Sequence, residues 1–141
     1  MKKSSKTLLI VLLFLVTATS CGKDEPIDNG EMQWKMPSEF VQLEKGIFLV
    51  PISGGTFTFS CQNYEPFISS LIERGPYVSY EYPRLNMRSV EGEWINVKCE
   101  KKNVTVTFTP LGDDRAHEFE IVFAAKDVVF TFIFMQQEHP Y

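Results

Sequence analysis

From Phe40 onward, apolar and polar residues alternate in short runs separated by turn-forming residues. Thr56-Phe57-Thr58-Phe59-Ser60-Cys61 and Val104-Thr105-Val106-Thr107-Phe108-Thr109 alternate without a break. Successive side chains of a strand point to opposite faces, so each run predicts a strand with one face buried. Phe40 to Glu44 and Ile47 to Pro51 are shorter candidates split at Lys45-Gly46, and Gly54-Gly55 opens the strand that follows. Phe67 to Ile72 closes at Arg74-Gly75-Pro76, and Tyr77 to Tyr82 ends at Pro83. Residues 83 to 92 carry no period and read as a loop. Trp94 to Cys99, Glu118 to Ala124 and Val128 to Gln136 complete the set, with polar turns at Glu100 to Asn103 and Lys126-Asp127. Short strands at near-regular spacing, with no helical period, predict an all-β fold: an immunoglobulin-like antiparallel β-sandwich of about seven to nine strands. Val128 to Met135 is apolar on both faces, which suits a central strand with a covered outer face.

The chain before Phe40 has a different texture. Lys2, Lys3 and Lys6 precede the apolar run Leu8 to Val16, and the small residues Thr17 to Ser20 follow. This is the layout of a secretory signal, and the run is too short to span a bilayer as a helix. Residues 1–20 are therefore expected to be removed. Cys21 stands where a lipidated cysteine belongs, and attachment of two or three acyl chains there gives a stable membrane anchor. Residues 21–38, with Pro26, Asn29-Gly30 and Pro37, read as a flexible tether, Trp34 being the residue placed to dock its end. The globular domain is expected at 39–141.

The formal net charge of −4 becomes −7 once Lys2, Lys3 and Lys6 leave with the signal. Such a surface argues against nucleic acid and against docking on anionic lipid. Neutral ligands such as glycans remain compatible with it.

Candidate chemistry is sparse, and no cofactor is implied. The two histidines, His117 and His139, lie in no nucleophile motif and no zinc spacing, and no pair of carboxylates is placed across an evident cleft. The chain is expected to be no enzyme and to hold no metal. Asp113-Asp114 after Gly112 reads as a turn former rather than a calcium site. Cys61 and Cys99 close alternating apolar faces. A disulfide is open to them in an oxidising compartment, but two buried thiols are the favoured reading. The aromatic group Tyr64, Tyr77, Tyr80, Tyr82 and Trp94 is the ligand candidate, because sugar C–H faces stack on exposed rings. Tyr80 and Tyr82 share one face of a strand, while Tyr77 and Glu81 share the other. Arg84, Asn86 and Arg88 adjoin them, and Tyr77, Tyr80, Tyr82 and Trp94 are the expected glycan contacts. The alternative is that these rings complete the core.

Two resemblances sharpen this picture. Lys23-Asp24-Glu25, just behind Cys21, resembles the export signal of Bacteroidetes surface lipoproteins, which implies a protein facing outward from the outer membrane. Gly54-Gly55-Thr56-Phe57-Thr58-Phe59, Asn63-Tyr64, Arg115 before Phe119-Glu120-Ile121, and Phe130 to Gln136 resemble the BACON-type domain over roughly residues 45 to 137. The chain departs from that pattern at Tyr64, where tryptophan is usual, and in a longer middle segment. The resemblance implies an immunoglobulin-like module at the cell surface that contacts carbohydrate or mucin glycans. The alternative it leaves open is a structural spacer, or a protein-interaction module within an assembly of surface lipoproteins.

Overall fold

The computed structural model describes residues 30–83, 86–112 and 114–138. The signal at 1–20, Cys21, the Lys23-Asp24-Glu25 motif, Arg84, Asp113 and His139 lie outside the described residues. Among those described there are eleven strands and no helix: β1 Trp34–Lys35, β2 Val41–Glu44, β3 Ile47–Leu49, β4 Gly55–Cys61, β5 Phe67–Arg74, β6 Ser79–Tyr82, β7 Ser89–Glu91, β8 Ile95–Glu100, β9 Asn103–Phe108, β10 Ala116–Ala125 and β11 Val128–Gln137. They form a β-sandwich of a five-stranded sheet, order β1-β4-β9-β8-β7, and a six-stranded sheet, order β2-β3-β11-β10-β5-β6. The β4-β9-β8 set facing β6-β5-β10-β11 is the immunoglobulin-like arrangement.

The alternation in the sequence becomes the inside and outside of each sheet. Phe59 and Cys61 of β4, Ile95, Val97 and Cys99 of β8, and Val104, Val106 and Phe108 of β9 are buried. The intervening Thr56 and Thr58 face Thr107 and Thr105 across the outer surface, with hydroxyl oxygens 3.0 and 3.3 Å apart. Opposing them, β10 and β11 bury Phe119, Ile121, Phe123, Phe132 and Phe134. Phe59 meets Phe132 at 5.4 Å and Phe134 at 5.9 Å between ring centroids, which locks the two sheets together. Each buried phenylalanine stabilises the fold by about 1.5–3 kcal/mol.

Four expectations need correction. The strands number eleven rather than seven to nine, because β1 and β7 are too short to show a period. β7 occupies part of the stretch read as the 83–92 loop, and its Val90 pairs with Val97. The second sheet is mixed rather than antiparallel, since β3 runs parallel to β11. The domain begins before residue 39. The compact unit that holds the strands starts at Met32, which is buried, and β1 pairs with β4. Trp34 inserts between the sheets, 4.9 Å from Phe132 and 5.3 Å from Phe123. Met32, Trp34 and Met36 recur at every second position, a strand signal hidden among polar neighbours.

Cys61 and Cys99 are free and buried. They belong to one sheet, on β4 and β8 with β9 between them, so their strands stand about two ladder spacings apart, near 10 Å. That separation exceeds the reach of a disulfide. Burial pushes the Cys99 thiol up to about 12, against a smaller opposite pull from Arg88. β11 is a central strand, as its composition required. Its outer face is not fully covered, with Val129 63% exposed.

Candidate functional site

The four aromatic residues expected to contact a glycan separate into two groups. Tyr77 lies in the turn between β5 and β6 and is 88% exposed. Tyr80, Tyr82 and Trp94 turn inward and close one end of the sandwich. Tyr80 meets the edge of Trp94 at 5.3 Å, and Trp94 stacks on His117 at 4.2 Å with 16° between the rings. Gly75 leaves the space for the indole, since a Cβ there would fall 2.6 Å from Trp94. This cluster is therefore not a coplanar exposed platform. Tyr80 pairs with Glu73 and Tyr82 with Leu71, so the face the two tyrosines share is the core face.

The centre of that end is Glu73, which is fully buried. Its carboxylate accepts from the backbone N–H groups of Glu93 and Trp94, both at 2.7 Å, and of Ile95 at 3.1 Å. The Tyr82 hydroxyl donates to it at 3.0 Å. These bonds tie β5 of one sheet to the segment entering β8 of the other. Burial, and then the hydrogen bond to Glu73 and its charge, push the Tyr82 phenol up to about 12.

His117 is buried beside this centre. Gln136 Nε2 donates to the carbonyl oxygens of Pro51 at 3.1 Å and Thr109 at 2.9 Å. The Gln136 oxygen then faces His117 Nδ1 at 3.2 Å. Nε2 meets Asp114 Oδ2 at 2.7 Å. Both ring nitrogens are thus engaged in cross-linking loops, with neither placed beside a nucleophile. Among the described residues no three His, Cys, Asp or Glu side chains converge as a metal site.

A concavity lined by an aromatic ring lies at the opposite end, where the β4–β5 loop meets the β8–β9 and β10–β11 turns. It encloses about 430 Å³ and is lined by Asn63, Tyr64, Glu65, Phe67, Lys102 and Lys126 with Ala125. Tyr64 is half-buried and packs on the hydrophobic core, which fixes the ring while part of it faces the cleft. Asn63 Oδ1 accepts from Gln33 N at 3.0 Å and from the Cys61 thiol at 3.4 Å, holding the loop against β1 and β4. Lys102 Nζ donates to the Gln62 carbonyl at 3.3 Å, joining the β8–β9 turn to the same loop. The result is an anchored ring surrounded by carboxylate, amide and ammonium groups. A larger cavity of about 600 Å³ opens near Ile52, Leu111, Asp114, Arg115 and Gln137, but among the described residues no aromatic ring lines it.

Sequence reasoning placed Tyr64 in the aromatic group without preferring it. What it missed was the pair of lysines, which line the same cleft only because two hairpin turns fold to the same end.

The fold places the chain among β-sandwich proteins. A solved NMR structure of a protein from Bacteroides thetaiotaomicron is similar to it, with 26% identity, a TM-score of 0.64, and alignment over 86% of this chain and 99% of that one. No family model matches the chain, and no curated protein matches it.

Proposed function

We propose that this protein is a non-catalytic module displayed on the outer membrane by a lipid on Cys21, and that it contacts carbohydrate through the Tyr64 cleft. The observation that carries this reading is the cleft itself: one ring fixed by the core, with Asn63, Glu65, Lys102 and Lys126 as hydrogen-bonding groups around it. A sugar ring stacks its C–H face on the tyrosine while these groups bond its hydroxyls. The BACON resemblance supports the same function. So does the commitment of Glu73 and His117, the buried polar groups at the far end, to structural bonds.

The test is binding of the full chain, in nonionic detergent, to immobilised mucin and a panel of polysaccharides. Saturable binding that falls at least tenfold in Tyr64→Ala and persists in Tyr77→Ala is expected. No binding across the panel overturns the reading. Acylation of Cys21, and protease access on intact cells, check the anchor and its outward display.

One observation favours a second reading as a protein-interaction module. The outer face of β2, β3 and β11 carries Val41, Ile47, Leu49, Ile133 and Met135 in adjacent register, and Val41 is 54% exposed. The other sheet presents threonines there instead. An apolar strip on a sheet face suits a protein partner, and mutation of Val41 and Met135 to lysine would abolish such pairing while sparing glycan binding.

A further inference from the structure

We infer that the Tyr64 cleft takes a sugar bearing an anionic group, a carboxylate or a sulfate, held between the ammonium groups of Lys102 and Lys126. This rests on the carbohydrate reading and names the class of sugar within it.

The charge distribution is the first ground. The chain is acidic overall, at −4, yet two lysines and one carboxylate, Glu65, line this cleft. The lining therefore carries a local excess of one positive charge. A neutral sugar gains little from an ammonium pair, because a hydrated lysine is a point charge suited to an anion.

The backbone supplies the second ground. Both hairpin turns that deliver the lysines hold a lysine in the left-handed region, Lys101 and Lys126 each at φ +57°. A side-chain-bearing residue is disfavoured there, which is why glycine and asparagine dominate such positions. Lys126 occupies the left-handed position itself, and the turn at Lys101 presents Lys102. Both turns line the cleft that Tyr64 lines.

The third ground is donor capacity. One N–H of Lys102 is used by the Gln62 carbonyl, and an ammonium has three. That bond steadies the chain at the rim and leaves donors for a ligand oxygen. Glu65, in the same lining, accepts from sugar hydroxyls and disfavours a densely charged polyanion laid over the whole site. The site thus selects a single anionic group on an otherwise hydroxylated ring.

The experiment uses the full chain in nonionic detergent against immobilised lactose, sialylated lactose and sulfated lactose. Binding of one or both acidic forms at least about tenfold tighter than lactose is expected, weakening as salt rises. The two acidic arms separate carboxylate from sulfate as the preferred group. Lys102→Gln with Lys126→Gln should remove the preference, and the paired arginine replacements should retain it. Lys98→Gln, which removes one positive charge from the outer face of β8, should shift affinity less than about twofold. Lactose bound as tightly as the acidic forms overturns this inference alone. So does an equal loss in Lys98→Gln, which would mark nonspecific charge attraction. Binding to none of the three, together with none across the polysaccharide panel, overturns the carbohydrate reading with it.

Discussion

Glu73→Gln keeps the shape of the side chain and changes what it can accept. The native carboxylate receives four hydrogen bonds, three of them from the consecutive backbone N–H groups of Glu93, Trp94 and Ile95. Oε2 takes Glu93 N and the Tyr82 hydroxyl; Oε1 takes Trp94 N and Ile95 N. Glutamine retains one oxygen and sets an NH₂ where the other stood. If the oxygen stays with Trp94 and Ile95, the amide nitrogen confronts the Glu93 N–H, donor against donor. The reverse orientation leaves two backbone donors facing a donor. An unsatisfied buried donor costs about 1–3 kcal/mol, and bonds to a charged acceptor are worth about 1.5–3 kcal/mol each. One bond lost and at least one donor stranded sum to about 2.5–6 kcal/mol. A domain of this size has about 5–15 kcal/mol in total, so the variant folds with a sharply lowered midpoint. Urea unfolding of the full chain should show that fall with an unchanged slope. Hydrogen exchange should show protection lost first at Glu93, Trp94 and Ile95. Gly92→Ala tests the same contact from the other side, because its Cβ would lie 2.6 Å from Glu73 Oε2. A Glu73→Gln stability within about 0.5 kcal/mol of the native chain, with exchange at 93–95 unaltered, would refute the assignment of Glu73 as the tie between the sheets.

Three further outcomes follow from the same geometry. Tyr82 ionises near 10 when unfolded and near 12 when folded, so the folded state holds its proton more tightly. Its contribution is intact below about pH 10 and lost as pH rises to 12, about 1 kcal/mol after solvent screening. Tyr82→Phe should flatten the stability profile in that window, and an unchanged profile would sink the coupling to Glu73. Gln136→Leu strands the Thr109 carbonyl and His117 Nδ1 and leaves the Pro51 carbonyl with the Gly54 N–H alone, and should cost about 2–4 kcal/mol by denaturant unfolding; a neutral result would show that the network does not hold these loops. Trp34→Ala should cost about 3–5 kcal/mol, where a residue on a free tether would cost nothing measurable.

Much of the fold was legible because a strand half-buried in a sandwich must alternate. Thr56 to Cys61 and Val104 to Phe108 do so, and both are strands with the expected faces inward. β1 escaped notice because it is only Trp34–Lys35 within a polar stretch, and its strand character comes from pairing with Ser60 and Cys61. Tyr80 and Tyr82 were correctly assigned to one face. Period two says that residues share a side, however, and not whether that side meets water. The partner Glu73 settled it, and Glu73 itself reads in Phe67 to Arg74 as one more polar position.

The sequence by itself determined the class of fold, the longer strands to within two residues at their ends, and the formal charge, because periodicity and composition are local properties. The order of strands, the parallel pairing of β3 with β11, and the placing of Cys61 and Cys99 in one sheet depend on which strand lies beside which. The cleft is decided in the same way. Tyr64, Lys102 and Lys126 are far apart along the chain and meet only because three connections fold to one end of the sandwich.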